Sequence, residues 1–587
     1  MAIFHTETEC ESQPRRSLTG ARWLVTPPAE ALPGQARAGE DNLSAVLRQV
    51  LAARGVVTPE EMNVFLNAEL ASLPDPLLMP DMAAAVEAVQ DTLARGARIR
   101  IFGDYDADGI TSTALLVRAL NAIGGANTVD WYLPHRIDDG YGLNTHSLDE
   151  ARADGVELGI TVDNGISAHE QLAHAERIGL RMIVTDHHEP GSSLPPAIAV
   201  INPKRADCVY PYRELAGVGV AFTLLRALCR ARNLPPVAPM KFLDLVTIGT
   251  IADVAPLTGE NRILVRHGLP LLTPMSKKVG IAALLRAIGI PERASCSDVA
   301  YQIGPRLNAA GRVAHAEAAL RLLLTGDRAE AEALAAQLCE HNTDRQEEEK
   351  RTLEQALTQV ERVDMTQTRV LVLASGDWHP GVIGIVASRL VERYHRPCAL
   401  ISVQEGIGKG SARARAPFHL WEALSNCAHL LRRFGGHRVA AGFELDATQI
   451  PALQEALAAE GARMLTDDDL LPAVEIDAWL DLGEVTTGFA RQAEMLAPFG
   501  MGNPTPVFAV TDAQVVQCIR RGQDGAHLSL TLRADPGARP VPAIWFRHGE
   551  CYNQLRTGDR VDVAFTVGLN TYLGTTSAQM VVKDVRV

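Results

Sequence analysis

Residues 99–114 constrain the fold of this chain more than any other part of its sequence. They contain a short apolar run that is followed at once by three aspartates at alternate positions. Ile99, Ile101 and Phe102 predict a buried strand, and the apolar pattern after Gly109 predicts a helix. The acids between them are Asp104, Asp106 and Asp108. Carboxylates this close repel one another unless a counter-charge is present, and oxygen ligands suit a divalent cation. The segment therefore predicts a metal site between a strand and a helix.

Two other interpretations of the aspartate segment are open. The spacing D-x-D-x-D-G matches the first half of an EF-hand calcium loop, but that loop requires a bidentate Glu at its twelfth position, where this chain has Leu115. An EF-hand also begins with a helix, whereas a strand is predicted here. A solvated acidic turn is the second alternative. We favour a catalytic metal site, and its structural context decides the matter.

The length and composition bound the class of protein. The chain has 587 residues, a net charge of −14 and nine cysteines, and this length predicts roughly three or four domains. The N-terminus lacks the apolar stretch of a secretory signal, and no apolar run approaches the length of a membrane span. Scattered cysteines without a CxxC pair predict free thiols in a reducing compartment. We therefore expect a cytoplasmic protein with no membrane partner. The negative charge does not exclude a polyanion, because binding depends on where the positive charge lies.

Polar residues follow several strands of a predicted parallel sheet. Between about 95 and 205, apolar runs alternate with helix-like segments, which is the pattern of a parallel sheet flanked by helices. Asp163-Asn164-Gly165 and Asp186-His187-His188 each come directly after such a run, and Asp253 follows a later apolar stretch. The carboxyl ends of parallel strands share one edge, where ligands bind. Residues far apart in sequence are thus expected to meet.

The acids and histidine at this edge suit a two-metal centre. The candidate ligands are Asp106, Asp108, Asp163, His187 and Asp253. In such a centre one cation activates water and the other stabilises the leaving oxygen. A histidine among carboxylates shifts the preference from Mg²⁺ towards Mn²⁺. Taken alone, Asp163 could instead serve its Asn-Gly turn, and the two histidines could be a capping or core pair.

The rest of the chain divides by pattern into further segments. We expect a helical N-terminal segment over 1–85, an α/β catalytic domain over 86–326, a connecting helix over 327–362, a second α/β domain over 363–467 and a small β-barrel over 468–587. The connecting helix is predicted because 341–351 contains no apolar residue although leucines flank it at helical spacing. Period-two strands near the C-terminus indicate the barrel, for which an OB-fold is expected.

Positive charge is concentrated in the second α/β domain. Between Val386 and Ala440 there are nine Lys or Arg residues and three Glu. Gly410 and Gly435-Gly436 place backbone N–H groups beside cations, as in a phosphate pocket, although an ordinary solvated loop would share this composition. In the first α/β domain, YQIGPRLNAAGR carries Arg306, Asn308 and Arg312 among small residues that allow close approach to a ligand.

These motifs together resemble a known family. DYDADG, VDNG, TDHH and IADVAPL occur in this order and resemble the motifs of the DHH phosphoesterases, while WHPGVIGIVASRL, KGSAR and FGGH resemble their DHHA1 domain. GPRLNAAGR, the connecting helix and the terminal β domain are similar to the single-strand-specific 5′→3′ DNA exonucleases of that family. The resemblance implies an α/β multidomain fold, with a parallel-sheet DHH domain and an α/β DHHA1 domain joined by a long helix, plus an OB-like barrel. It covers about residues 85–587.

The resemblance also implies roles for individual residues. It implies two Mn²⁺ or Mg²⁺ ions held by Asp104, Asp106, Asp108, Asp163, His187 and Asp253, and it adds His188 to the catalytic set. The expected nucleotide-binding residues are Arg136, Arg306, Asn308, Arg312, Ser411, Arg413, Gly435, Gly436 and His437.

Three functions are compared on this basis. The first is a single-stranded-DNA exonuclease of recombination and repair, acting with a helicase and a single-strand-binding protein. The second is a DHH phosphodiesterase for short oligoribonucleotides or cyclic dinucleotides, and the third is a non-catalytic binding module. The additional β domain of roughly 120 residues favours the nuclease, and the intact ligand set argues against the binding module.

Overall fold

The computed structural model describes residues 15–27, 43–125, 128–134, 142–313, 315–572 and 574–587. In chain order its strands are β1 Arg22–Val25, β2 Arg98–Phe102, β3 Val129–Tyr132, β4 Val156–Val162, β5 Arg181–Thr185, β6 Ala199–Ile201, β7 Leu371–Ser375, β8 Cys398–Gln404, β9 Ile407–Arg413, β10 Arg433–Gly436, β11 Ala440–Asp446, β12 Ala473–Ile476, β13 Ala478–Trp479, β14 Phe508–Arg521, β15 His527–Arg533, β16 Val541–Trp545, β17 Arg560–Tyr572 and β18 Thr575–Arg586.

The α-helices of the same residues are α1 Ala45–Ala53, α2 Pro59–Asn67, α3 Met82–Ala94, α4 Ala107–Gly124, α5 Thr145–Ala153, α6 His169–Arg177, α7 Gly217–Ala231, α8 Leu243–Ala252, α9 Gly259–Gly268, α10 Val279–Ile288, α11 Cys296–Asp298, α12 Gly304–Val313, α13 Glu317–Leu324, α14 Arg328–Val360, α15 Ile383–Tyr394, α16 Leu420–Asn426, α17 Ile450–Met464 and α18 Thr487–Glu494. A π-helical turn, Val299–Ile303, separates α11 from α12. None of these described helices combines the length and apolar character needed to cross a bilayer.

The chain forms two compact units. The first unit comprises residues 67–346 and 498–504, and the second comprises the described residues of 1–66, 347–497 and 505–587. Helix α14 begins in the first unit and ends in the second. It is the long helix predicted for 327–362. The eight cysteines within the described ranges are free thiols.

The first unit is built on a five-stranded parallel sheet in the order β3-β2-β4-β5-β6. Helices cover both faces of the sheet, so its central strands bury apolar residues on both sides; Ile101, Ile160 and Ile183 are fully buried. Parallel strands require crossover connections, and α4, α5 and α6 are the crossover helices that the alternating pattern predicted, whereas residues 186–198 connect β5 to β6 without a helix. Strands β2, β4 and β5 all end at one edge of the sheet, which is the arrangement expected from the sequence.

The second unit contains a five-stranded mixed sheet in the order β10-β11-β9-β8-β7, in which only the β7–β8 pair is parallel. It also contains a closed five-stranded barrel. The barrel order is β14-β15-β16-β18-β17, and pairing between β14 and β17 closes it. This is the strand order of an OB-fold. The predicted fold class, with two α/β domains, a long helix and an OB-like barrel, is therefore confirmed.

The described part of the N-terminal segment contains a strand in addition to helices of the kind predicted there. Besides α1 and α2 it contains β1, which pairs in parallel with β12. The indole Nε1 of Trp23 donates a hydrogen bond of 2.7 Å to the buried carboxylate of Asp584 near the C-terminus. Local periodicity could not reveal β1, since a four-residue strand leaves little pattern and its partner lies near residue 473.

Candidate active site

The acidic loop between β2 and α4 is fixed by its own backbone. Asp104 is buried, and Asp106 caps α4 by accepting hydrogen bonds from the N–H groups of Asp108 and Gly109 at 3.0 and 3.1 Å. Ser, Thr, Asp and Asn are the usual residues at this position because their oxygens satisfy exposed helix N–H groups. The cap fixes one oxygen of Asp106, and the acidic loop is the predicted strand–loop–helix element.

Asp108 is held from a second element. Its two carboxylate oxygens accept hydrogen bonds from Gly217 N at 2.6 Å and Val218 N at 2.9 Å, at the start of α7. A Cβ atom on Gly217 would lie 2.7 Å from Oδ1 of Asp163, so this position has no room for a side chain. The N-terminus of α7 therefore brings two aspartates from different strand ends together.

The remaining predicted ligands converge on the same point. Asp163 follows β4 with φ +60°, a backbone conformation that Asp adopts more readily than most residues. His187 Nε2 lies 3.1 Å from Asp163 Oδ1, and His187 Nδ1 lies 3.8 Å from Asp253 Oδ2. Asp253 is the C-cap residue of α8. The structure thus brings together all six predicted metal ligands and His188.

Asp186 was missing from the predicted site residues although it begins the DHH part of the TDHH motif. It is buried, and its Oδ1 accepts hydrogen bonds from the backbone N–H groups of both histidines and from His188 Nδ1 at 2.7 Å. Its Oδ2 accepts a hydrogen bond from Ile166 N. Burial would raise the pKa of Asp186, but the hydrogen bond and charge of His188 lower it below its ordinary value. Asp186 therefore orients the histidine pair, a role that only the spatial arrangement reveals.

The electrostatics of the site favour a bound cation. Burial, followed by the charge of Asp106, raises the pKa of Asp108 to about 7. Burial and neighbouring carboxylates raise the pKa values of Asp163 and Asp253 well above the ordinary range. Burial and the charge of His188 lower the pKa of His187 to about 3, so its imidazole is neutral, as metal ligation requires. The carboxylates repel one another in a way that a divalent cation would relieve.

The donor atoms meet the geometric requirement for metal binding. The described part of the structure contains three groups of candidate ligand residues, and within each group the ligand atoms all lie within 4.8 Å of one another. They are Asp104, Asp106 and Asp163; Asp108, His187 and Asp253; and Asp163, His187 and His188. Asp163 and His187 each belong to two groups, which is the overlap that a pair of ions with a shared ligand requires. The mixture of carboxylate oxygen and imidazole nitrogen suits Mn²⁺ and also accommodates Mg²⁺.

We expect the metal-free protein to lose stability as the pH rises from about 6.5 to 7.5, a range above the ordinary pKa of histidine in which His187 is neutral in both the folded and the unfolded state. An acid with a raised pKa binds more protons in the folded than in the unfolded state, so the free energy of unfolding falls with rising pH. For Asp108, with its pKa of about 7, the effect is at most about 4 kcal/mol, since one pKa unit is worth about 1.4 kcal/mol. The melting temperature measured in EDTA should fall with rising pH, and the slope of melting temperature against pH should be smaller in Asp163→Asn. Equal slopes in the two proteins would contradict the coupling between the carboxylates.

The motif around α12 supports the acidic loop. Asn308 Oδ1 accepts a hydrogen bond of 2.7 Å from Ala107 N, so it positions the start of α4. Arg306 donates from Nη1 to the carbonyl of Gln302 at 2.8 Å and from Nε to Cys339 Sγ at 3.4 Å. Arg312 lies in the last turn of α12. Arg136, the remaining predicted phosphate contact, lies outside the described residues.

A second constellation lies on the sheet of the second unit. Ser411 and Arg413 lie on β9, and Arg413 Nη1 donates hydrogen bonds to Ser411 Oγ at 3.0 Å and to Ala412 O at 2.8 Å. A Cβ on Gly384, in the first turn of α15, would lie 2.8 Å from Ser411 Oγ and 2.9 Å from Arg413 Nη2. The hydroxyl and guanidinium are thus packed against a helix N-terminus, which favours anions. Gly384 was not among the predicted site residues.

A row of glycines continues from Ser411 across the sheet. Gly442 on β11 pairs with Ser411 on one side and with Gly435 on β10 on the other. Directly paired residues share one face of a sheet, and a Cβ on Gly435 would meet no atom within 4 Å. The row therefore leaves this face of the sheet without side chains beside Ser411. Gly436 and the exposed His437 follow at the hairpin, where His437 N donates to Ala440 O.

Lys204 is a further cation near the carboxylates that sequence reasoning missed. It follows β6, and its Nζ lies 3.2 Å from Glu189 Oε1. Burial and the charge of Asp108 raise the pKa of Asp253, and the charge of Lys204 opposes that rise. A lysine a few residues beyond an apolar strand is too common to be identified from sequence alone.

The fold and site together define a DHH phosphoesterase. The family model described as "DHH family, N-terminal domain" matches residues 98–250, which include the residues of the acidic edge except Asp253. The model described as "DHHA1 domain" matches residues 367–460, which include Ser411, Arg413 and the glycine row. A third model, described as "RecJ OB domain", matches residues 476–584 and so covers the barrel.

More specifically, the chain belongs to the RecJ family of single-stranded-DNA-specific exonucleases. It is 38% identical over 562 residues to the exonuclease RecJ of Dickeya dadantii, covering 92% of this chain and 96% of that protein. It is also similar to the crystal structure of RecJ from Thermus thermophilus in complex with Mn²⁺, with a TM-score of 0.77 and 36% identity, covering 93% of this chain and 78% of the other. The Mg²⁺ complex of the same protein gives a TM-score of 0.74 and 33% identity, covering 97% and 78%. The family assignment made from the motifs is thereby confirmed.

Proposed function

We propose that this chain is a metal-dependent exonuclease that degrades single-stranded DNA from the 5′ end to mononucleotides, in DNA recombination and repair. The observation that carries the proposal is the convergence of five aspartates and two histidines at one sheet edge, with overlapping ligand groups. A site of this kind suits hydrolysis of a phosphodiester. Membership of the RecJ family and the OB-like barrel support single-stranded DNA as the substrate.

We assign metal binding to Asp104, Asp106, Asp108, Asp163, His187 and Asp253. When bound, Mn²⁺ or Mg²⁺ would polarise the phosphate and activate water for attack on phosphorus. The chain's own contribution is preorganisation, because backbone N–H groups hold Asp106 and Asp108 before any ligand arrives. Asp186 holds His188 in one orientation through Nδ1. Neutral His187 presents nitrogen donors to two of the three ligand groups.

We assign recognition of the 5′-terminal phosphate to Ser411, Arg413, Gly435, Gly436 and His437. A terminal phosphate carries more negative charge than an internal diester, and a guanidinium fork can grip two of its oxygens. The N-terminus of α15 adds a favourable dipole at the same place. Arg136, Arg306 and Arg312 are proposed as further phosphate contacts. Asn308 is proposed as a further contact to the nucleotide, besides its hydrogen bond to the acidic loop.

Several broader assignments complete the proposal. An enzyme restricted to single strands needs an activity that exposes them, so a helicase and a single-strand-binding protein are the expected partners, in the cytoplasm. The proposed domains comprise residues 1–85, 86–326, 327–362, 363–467 and 468–587. The three spans matched by family models fall within the second, fourth and fifth of these domains. A phosphodiesterase for short oligoribonucleotides or cyclic dinucleotides would not need the barrel.

The test is degradation of one strand labelled at either end. With Mn²⁺, a 5′-labelled single strand should release labelled mononucleotide at once, while a 3′-labelled strand should shorten progressively. A blunt duplex and a reaction in EDTA should both remain intact. Release of mononucleotide first from the 3′ label would overturn the direction, and cleavage of cyclic dinucleotides with no action on long strands would favour the alternative enzyme.

A further inference from the structure

Two exposed apolar side chains belong to segments that adjoin the acidic sheet edge. Val254, immediately after Asp253, is 58% exposed, and Tyr301 is 78% exposed. Within the described part of the first unit, every other Phe, Tyr or Trp is buried or half-buried. A single exposed apolar residue is ordinary, so exposure alone does not identify a site. The backbone at each residue supplies the stronger argument.

Val254 is held in a conformation that its side chain disfavours. Its φ is +61°, in the left-handed region, which is a genuine outlier for a β-branched residue. The position directly after a helix C-cap is usually glycine for this reason. Because more than half of the valine side chain is exposed, packing compensates little for the strain. Strain of this kind persists at functional sites.

Tyr301 lies on the π-helical turn Val299–Ile303. Such turns are rare in proteins overall, but those that occur are often found at functional sites. This turn is anchored beside the acidic edge. A Cβ on Gly304 would lie 3.1 Å from the Cβ of Ala252, the last residue of α8, and a Cβ on Gly311 would lie 2.6 Å from Tyr105 O in the acidic loop. Asn308 adds its hydrogen bond to Ala107. The segment that carries Tyr301 is therefore packed against both the end of α8 and the acidic loop.

We propose that Val254 and Tyr301 contact the base and sugar of the nucleotide whose phosphate lies at the acidic edge. This inference rests on the proposed function and assigns the two residues to positioning, without a part in proton transfer. An aromatic ring can stack on any base, which suits an enzyme that must accept every sequence. The branched methyl groups of Val254 would contact the sugar or the base edge beside Asp253.

The test uses two 5′-phosphorylated single strands, one normal and one with an abasic residue as the first nucleotide released. In wild type the abasic strand should be cleaved with about tenfold lower kcat/KM, as expected for the loss of one stacked base. Tyr301→Ala should lose the same factor on the normal strand and nothing more on the abasic strand, whereas Tyr301→Phe should resemble wild type. Fluorescence anisotropy in EDTA should show the same selective loss of binding.

Val254→Gly separates substrate contact from folding. Glycine accepts φ +61° without strain, so the melting temperature should hold or rise, while kcat/KM on the normal strand should fall. Met275→Ala, which removes an apolar side chain that is 88% exposed in the same unit, is the matched control and should change neither strand. Equal losses on both strands in Tyr301→Ala, a lower melting temperature in that variant, or an unchanged kcat/KM in Val254→Gly would overturn the inference. Failure of wild type to cleave either strand would instead refute the proposed function.

Discussion

Replacing Asp163 by Asn should reduce Mn²⁺-dependent cleavage of single-stranded DNA by more than about a hundredfold, since losing an outer-shell partner of a metal ligand alone costs roughly 10- to 100-fold. Asp163 belongs to two of the three ligand groups and lies 3.1 Å from His187 Nε2. Asn is preferred to Ala for the test because it also tolerates φ +60° and matches the size of Asp. The measurement is the initial rate on a labelled strand at saturating Mn²⁺.

The same variant should fold at least as well as wild type in EDTA. Burial and neighbouring acids raise the pKa of Asp163 well above its ordinary value, so removing this charge relieves a repulsion in the metal-free protein. Asp149→Asn is the matched control, because Asp149 is an exposed acid of the same unit that pairs with His174. Near-normal cleavage by Asp163→Asn, or an equal loss in the control, would contradict the assignment of Asp163.

Replacing Arg413 by Ala should selectively impair strands that carry a 5′-phosphate. Arg413 is held by Ser411 and by a backbone carbonyl beside the N-terminus of α15. Hydrogen bonds to charged groups contribute about 1.5–3 kcal/mol, so kcat/KM on the phosphorylated strand should fall roughly tenfold to a hundredfold. A strand with a 5′-hydroxyl, which lacks the terminal charge, should be affected much less.

The control for Arg413→Ala is Arg463→Ala, since Arg463 lies on α17, is half-exposed and pairs with Glu460 and Glu422. It should behave as wild type on both strands. Mn²⁺ affinity should be unchanged in either variant because neither arginine belongs to a ligand group. An equal loss on both strands would show that Arg413 acts on the reacting phosphate, and would overturn its assignment to the 5′ end.

The sequence predicts the acidic edge well because most of the ligands follow an apolar strand. Asp104 to Asp108, Asp163 and the histidine pair all come at the ends of strands, and parallel strands place these ends together. Asp253 is harder to place, because it follows a helix and nothing local assigns it to the sheet edge. The OB-like barrel was predictable from period-two strands, whereas its closure by β14 and β17 depends on pairing that periodicity does not specify.

Other features depend on contacts between distant residues and could not be predicted. The bond from Ala107 to Asn308 joins residues 201 positions apart, so the support that Asn308 gives to the acidic loop could not be predicted from the motif. Gly384 and Gly442 are ordinary glycines until the strands pair and α15 packs on β9. Strand β1 could not be predicted for the same reason, because its partner β12 lies in a distant part of the sequence.

The measurement that tests the central claim most directly is a Mn²⁺ titration in which bound metal and strand cleavage are followed on the same samples at a pH of about 7.5, where a neutral histidine can bind metal. Wild type should bind two equivalents, and the cleavage rate should rise with occupancy of the second. Asp163→Asn should bind at most one equivalent tightly and remain inactive. A full cleavage rate with a single bound ion, or two tightly bound ions in Asp163→Asn, would contradict a two-metal centre at this sheet edge.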